Sequence, residues 1–423
     1  VNDLLVGFGE EMGQGRVMKD GLFEQQPRAL YVHVPFCGSK CAYCGFASHV
    51  PEPGSREKEV QGWLATLGVE VGARLVRRWH GQPMLRTVFI GGGTPTFLTE
   101  SELEALMSLL DPYMKPAQEI TVEANPDSLT SVKADVLKRY GVNRVSLGVQ
   151  SLDETLLRTL GRRHSPGDVR RAVSVLREQG FANINFDLMF GLPEQDIETW
   201  QRTVTEAVRM EPEHLSLYGL TVEPGTVFAN LLGQGASEVP NDDDQADMYD
   251  WAVDYLADKG YRRYEISNFS REGFTCNHNE AIWHGDDYLG LGPAAVSTER
   301  GVRMTNAPSV ATYIREMQSL SSDSAAVAVN DTDLSGGIGR RVSVLSVCQQ
   351  MSEYMFLGLR TTQGVSKEGF LRRFGVEAAD IFDHVLVKYS RVGVLAVEAD
   401  RIFMQPQYFF VANSVLNSFI LEE

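Results

Sequence analysis

Cys37, Cys41 and Cys44 stand in the run Cys-Gly-Ser-Lys-Cys-Ala-Tyr-Cys and offer three thiolates within one short segment. An iron–sulfur cubane of four irons is normally held by four thiolates. Three leave one iron with a free coordination position, and a second molecule can bind at that corner. The spacing therefore points to chemistry done at a cluster, beyond electron storage. A structural zinc site is a competing reading, and its fourth ligand would have to be His33 or His49. A group of buried free thiols is the third.

A glycine run, Gly91-Gly92-Gly93-Thr94-Pro95, closes a short apolar stretch at 87–90. Glycines let a backbone approach a ligand closely and present its N–H groups to a carboxylate or phosphate. Polar residues stand at the ends of later apolar stretches: Glu123, then Gln150 with Ser151, with Asp187 inside another and Arg162 a little after Gln150. Carboxylates suit ribose hydroxyls and an ammonium group, whereas an arginine and backbone N–H groups suit a carboxylate. Together they describe a pocket mouth for an amino-acid-bearing nucleoside. Each alone is equally at home as a buried, satisfied polar group.

The elements that must position these residues alternate strand and helix. Strands are expected at 30–34, 87–90, 119–123, 144–149, 184–189 and 214–220. Helices are expected at 57–75, 102–110, 131–140, 169–178 and 197–210. Six strand–helix units in order imply a parallel sheet with helical crossovers, two units short of a complete eight-stranded barrel. An α/β fold with an open, partial (β/α)6 barrel follows, with the cysteine and glycine loops both leaving the C-terminal ends of strands. A turn-rich stretch at 222–240 precedes a helix capped by Asp242–Asp244, and another strand ends near 264–266. Residues 1–28 form an N-terminal extension, 29–318 the barrel with its C-terminal extension, 319–349 a linker or long loop, and 350–423 a small domain. In the last, helices at 354–359, 367–374 and 382–389, a hairpin at 395–404 and a final helix at 413–421 suggest a winged-helix-like module.

The formal charge of −17 argues against a nucleic-acid groove, which wants a clustered basic face. Hydrophobic residues at 43% can bury a sizeable core. Five cysteines, three of them clustered, fit a reducing compartment such as the cytoplasm rather than a disulfide framework. No run of about 18 uncharged apolar residues predicts a transmembrane helix. The chain starts at Val1, which leaves an organelle lumen open if a presequence has been removed.

Cys-x3-Cys-x2-Cys with Tyr43 before its last cysteine, followed by Gly-Gly-Gly-Thr-Pro, resembles the radical SAM superfamily. The runs from Tyr31 to Cys37, Glu123 to Pro126, Leu147 to Ser151, Asp187 to Pro193 and Tyr288 to Gly292 resemble its oxygen-independent coproporphyrinogen III oxidase branch. The resemblance implies a [4Fe–4S] cluster on the three cysteines and S-adenosylmethionine (SAM) on the open iron. It implies SAM contacts at Tyr31, Tyr43, Gly92, Gly93, Thr94, Glu123, Gln150, Arg162 and Asp187, and a reductant such as flavodoxin or ferredoxin. The oxidase itself carries a further cysteine two positions after the third ligand, where this chain has Phe46, and an N-terminal aromatic motif not found in residues 1–28. Both departures resemble the HemW type, heme chaperones that pass heme to acceptor proteins. Its His-Asn-x-x-Tyr-Trp motif falls on His278, Asn279, Ile282 and Trp283, with isoleucine in place of tyrosine. His278 is therefore a candidate heme ligand, or else a structural histidine; Cys276 and Cys348 read as buried apolar residues. Porphyrin decarboxylation or a radical methyl transfer is the alternative activity.

Overall fold

Strict alternation along the strands separates two environments. In the computed structural model, which describes residues 28–77, 85–235, 238–322 and 341–421, the first six strands are β1 (Ala29–Val34), β2 (Thr87–Gly92), β3 (Glu119–Ala124), β4 (Arg144–Gln150), β5 (Ile184–Phe190) and β6 (His214–Gly219). Each pairs in parallel with the next. Side chains of a strand point alternately to opposite faces. One parity is apolar: Val32, Val88, Ile90, Val122, Leu147, Phe186 and Leu215 are wholly buried in the main core. It packs against Trp63, Leu67, Leu106, Leu137, Leu176, Trp200 and Val204 from the crossover helices. The other parity is polar and faces the concave side of the curved sheet: Glu119, Glu123, Arg144, Ser146, Asn185, Asp187, His214 and Ser216.

The helices start where capping chemistry allows. Thr99 and Ser165 form capping boxes with Glu102 and Asp168, and Asp196 and Asn241 cap the helices Ile197–Arg209 and Asp242–Asp258. Each cap satisfies backbone N–H groups that the helix leaves unpaired.

The sheet is larger than six strands. A seventh parallel strand, β9 (Tyr288–Leu291), lies against the outer side of β1, and the order across the sheet is β12-β11-β10-β9-β1-β2-β3-β4-β5-β6-β8-β7. The flanking strands β7 (Arg262–Arg263), β8 (Asn268–Ser270), β10 (Val296–Glu299), β11 (Val302–Thr305) and β12 (Arg341–Val344) are antiparallel additions. They correct two expectations. In place of a strand ending at 264–266 there are two short strands, with Glu265 making only an isolated bridge to Thr361. The stretch at 319–349 holds the end of the helix Val310–Ser322, strand β12 and the start of the helix Val347–Gly358; its residues 323–340 lie outside those described, as do residues 1–27. The turn-rich stretch at 222–240 contains a short helix, Val227–Gly233, capped by Thr226.

A buried polar knot anchors this extension. Glu70 accepts from Gly292 N–H at 2.8 Å, Asn306 Nδ2 at 2.9 Å and Tyr313 OH at 2.7 Å. Arg74, in the π-helical turn that follows the helix Arg56–Val71, reaches Gly290 O at 2.8 Å and Ser297 Oγ at 3.0 Å.

The C-terminal module has its own core around Met355, Phe370, Phe382, Ile402 and Phe419. Its helices Val347–Gly358, Lys367–Phe374 and Ala378–Arg391 pack with a three-stranded sheet of Val365–Ser366, Leu395–Val397 and Arg401–Met404, a winged-helix-like arrangement. The expected final helix is instead a short run, Ala412–Leu416, between two 3-10 turns. Main-chain bonds fasten the module to the barrel, from Ile266 N–H to Arg360 O and from Thr362 N–H to Tyr264 O.

Candidate active site

A cavity of about 660 Å³ opens at the C-terminal ends of the strands. Its wall brings together Cys37, Cys41, Tyr43, Cys44, Gly92, Gly93, Thr94, Glu123, Gln150, Arg162 and Asp187. Thus three loops and four strands deliver eleven of the thirteen residues singled out from the sequence to one place. Tyr31 and His278 are not in that wall.

The cysteine loop is pinned from several sides. Cys37 N–H donates to His49 O, His49 N–H to Pro35 O, Ala42 N–H to Leu160 O, and Phe228 N–H to Ala42 O. His33 Nε2 donates to Ala47 O at 2.9 Å, so its Nδ1 accepts the Tyr31 hydroxyl at 3.0 Å. Burial lowers the His33 pKa and keeps the ring neutral. Tyr31 therefore braces the loop from beneath. Tyr43 turns into a small apolar cluster with Leu156, Leu160, Met189 and Phe228.

The glycine run is required by closeness. A Cβ on Gly93 would stand 2.6 Å from Phe36 O and 2.8 Å from Val34 O, and one on Gly91 would stand 2.6 Å from the Glu123 carboxyl. Gly92, at φ 109°, has left-handed backbone and lies against the His33 ring. Its N–H donates to Glu123 Oε2 at 2.9 Å. Gln150 also has left-handed backbone, at φ 63°, and ends β4 at the cavity edge; such strain in a non-glycine residue is common at functional sites.

Two carboxyls share the cavity. Burial, and then the charge of Asp187, push the Glu123 pKa up to about 7. Burial also raises the Asp187 pKa, opposed by Ser146 Oγ donating at 2.9 Å and Asn185 Nδ2 at 2.9 Å. Arg162 is the facing cation: Nη2 donates to Asn125 Oδ1 and Gly148 O, both at 2.7 Å, and Nη1 lies 3.7 Å from Cys41 Sγ. Its Nε is buried without a hydrogen-bond partner.

His278 lies at the other end of the strands. It is buried, with Nδ1 3.0 Å from Thr87 Oγ1 at the first residue of β2. Glu119, the first residue of β3, accepts from the N–H groups of Asn277 at 2.9 Å and His278 at 3.0 Å. The segment thus closes the floor of the barrel, with the Glu119 carboxylate on the N-terminus of the helix Asn277–Trp283.

Sequence reasoning missed Asn125, Ser146 and Tyr218, which also line the cavity. Ser146 and Tyr218 share the polar parity of their strands, which is a usable signal. Asn125 stands one residue past the end of β3, where parity gives none.

The donor set fits a cluster with one open corner. Three thiols line the wall, and among the described residues no group of three His, Cys, Asp or Glu side chains is arranged to hold a single metal ion. Of the histidines a zinc site would need, His33 has both ring nitrogens occupied and His49 Nε2 is paired with Glu59 at 2.6 Å. The close-packed glycine backbone beside the thiols, two carboxyls and the partly unpaired arginine suit the amino, carboxylate and ribose groups of SAM.

Known proteins bear on the same features. Residues 31–207 match the radical SAM superfamily and residues 345–409 match the HemN C-terminal domain. The chain is 35% identical to a protein named heme chaperone HemW of Bacillus subtilis (strain 168), over 93% of this chain and 100% of that one. It is 32% identical to a protein of the same name from Lactococcus lactis, over 94% and 99% of the two chains. Mouse radical S-adenosyl methionine domain-containing protein 1, mitochondrial, is 34% identical over 80% of this chain and 74% of its own. The solved structure of the Escherichia coli coproporphyrinogen III oxidase HemN has the same fold, at TM-score 0.78 and 22% identity over 94% of this chain and 90% of that one. The thiol loop, the glycine cradle and a similarity that runs through both modules lead to one conclusion: this chain belongs to the HemW heme chaperone family of the radical SAM superfamily.

Proposed function

We propose that this chain holds a [4Fe–4S] cluster on Cys37, Cys41 and Cys44, binds SAM in the adjoining cavity, and works as a heme chaperone that carries heme to an acceptor protein. The observation that carries the reading is the length of the similarity: 35% identity spans the whole of a HemW relative, C-terminal module included. Phe46 supports it. This side chain is 70% exposed in the cavity wall, where the oxidase it resembles has another thiol.

A cluster held by Cys37, Cys41 and Cys44 would supply one-electron chemistry to a SAM bound beside it. The chain's own residues hold and orient. Gly92 and Gly93 admit the methionine end closely, and Thr94 and Gln150 offer polar contacts. Arg162 faces a carboxylate, and Glu123 and Asp187 face cationic and hydroxyl groups. Tyr31 acts through His33 on the cysteine loop, and Tyr43 packs that loop. A flavodoxin- or ferredoxin-like protein is the reductant, and a hemoprotein precursor is the acceptor. A reducing compartment suits the chain, the cytoplasm or the mitochondrion named for its mouse relative. No described helix is long and apolar enough to cross a membrane.

His278 was a candidate heme ligand. Its burial beneath β2 and its bond to Thr87 favour a structural role instead.

The test is anaerobic reconstitution followed by two assays side by side. A Soret band on heme addition and heme transfer to an apo-hemoprotein are expected, without decarboxylation of coproporphyrinogen III. Decarboxylation of that substrate would replace the chaperone reading with the oxidase one.

A further inference from the structure

Two of the three cysteine sulfurs are joined by a hydrogen-bonded relay that runs through a residue with no assigned role. Arg162 Nη1 lies 3.7 Å from Cys41 Sγ. The same guanidinium donates from Nη2 to Asn125 Oδ1 at 2.7 Å. Asn125 Nδ2 donates to Thr94 Oγ1 at 3.1 Å, and that hydroxyl lies 3.6 Å from Cys37 Sγ. The main chain that carries this amide is tied down as well. Asn125 N–H donates to Thr96 Oγ1 at 3.2 Å, and Asn125 O accepts from the N–H groups of Ser128 and Leu129.

The polarity of the relay has one sense. A thiolate can only accept, so with Cys37 ionised the Thr94 hydroxyl must donate to it. The hydroxyl oxygen is then free to accept from Asn125 Nδ2, which can only donate. On the other arm, Asn125 Oδ1 can only accept, and it locks Arg162 with its charge against Cys41. Both arms therefore end in a donor aimed at sulfur.

We propose that Asn125 is a positioning residue for the cluster, holding Thr94 and Arg162 as paired donors to the Cys37 and Cys41 sulfurs and thereby raising the reduction potential. The proposal rests on the cluster reading above. Hydrogen bonds and positive charge at the sulfurs favour the reduced, more negative cluster, and they are among the main determinants of potential. The cavity carries two carboxyls, Glu123 and Asp187, that work in the opposite direction. The relay is the counterweight that keeps the cluster within reach of a protein reductant.

The experiment is an EPR-monitored redox titration of the anaerobically reconstituted full chain without SAM, with iron and sulfide measured for each variant. Asn125→Asp keeps the size of the side chain, removes the donor to Thr94 and sets a carboxylate against Arg162. A merely structural Asn125 would tolerate this exchange best. The relay predicts the reverse, a potential lowered by about 59 mV or more, a tenfold shift in the oxidised-to-reduced ratio at fixed ambient potential. Asn125→Leu should shift it in the same direction. Thr94→Val removes one hydroxyl at nearly constant volume and must lower the potential by itself, so the test survives if the Asn125 variants fold poorly. Intact clusters with unchanged potentials would overturn the relay and leave the cluster reading standing. Wild-type protein with neither iron nor sulfide would overturn both.

Discussion

The backbone N–H of Gly92 donates to Glu123 Oε2 at 2.9 Å, and this bond ties the glycine loop after β2 to the carboxyl at the end of β3. The buried carboxyl also feels Asp187, and its pKa rises from the usual 4.5 to about 7. A folded-state value above the unfolded one means that the folded chain holds the proton more tightly. The stabilising contribution is therefore full below about pH 4.5 and is lost as pH rises through about 7. Ligand-free wild type should lose thermal stability relative to Glu123→Gln between about pH 5.5 and pH 8, as followed by calorimetry. SAM binding has the opposite slope, because its cationic groups favour the ionised carboxyl. Titration calorimetry on reconstituted protein should show affinity rising about tenfold per pH unit below about 7 in wild type and nearly flat in Glu123→Gln.

Gly93 allows the glycine and cysteine loops to touch. In Gly93→Ala the new methyl would stand 2.6 Å from Phe36 O and 2.8 Å from Val34 O. Both are backbone atoms, so the cysteine loop must shift. The expected cost is about 1–3 kcal/mol of stability. Iron and sulfide per chain after reconstitution should fall at least about twofold, since a displaced Cys37 no longer closes the ligand set. Wild-type cluster content in Gly93→Ala would contradict the cradle.

His278 and Thr87 meet at the floor of the barrel, 3.0 Å apart. Burial, and then the charge of Arg144, push the His278 pKa down to about 3, so the ring is neutral through the physiological range. His278→Ala should cost about 2 kcal/mol through the lost packing and the stranded Thr87 hydroxyl, measured by urea unfolding. The Soret spectrum of its heme complex should match that of wild type. A shifted or absent band would return His278 to the heme site.

Glu70 is wholly buried and accepts from three segments of the outer extension. Glu70→Ala leaves those donors and the neighbouring Arg74 without their shared anion. Removing one member of a buried charged set typically costs about 3–5 kcal/mol. Chemical unfolding should show this loss, while the cavity at the far side of β1 keeps its cluster.

Much of the barrel was legible in local pattern. The six strands 30–34 to 214–220 are each found within two residues of the expected bounds, because short apolar runs set between longer amphipathic stretches are a strong signal. β9 was not legible. It has four residues, contains Gly290 and is followed by Gly292, and its strand character comes from pairing with β1. The strands β7 and β8 are shorter still, and their existence depends on the free edge of β6.

The chain's residue order by itself determined the chemistry on offer: three thiolates in one loop, a glycine run at a strand end, and a polar parity along successive strands. These are local properties, set by spacing and by the two faces of a strand. The tertiary structure alone decided which of the polar groups meet. Arg162 and Cys41 are 121 residues apart and Asn125 and Arg162 are 37 apart, and only the curvature of the parallel sheet puts them in one wall. The same curvature sends His278 to the opposite pole, because its anchor, Thr87, begins a strand whose other end carries the glycine loop. A motif names the side chains, whereas the end of the strand to which they are fastened decides whether they face a ligand or the protein.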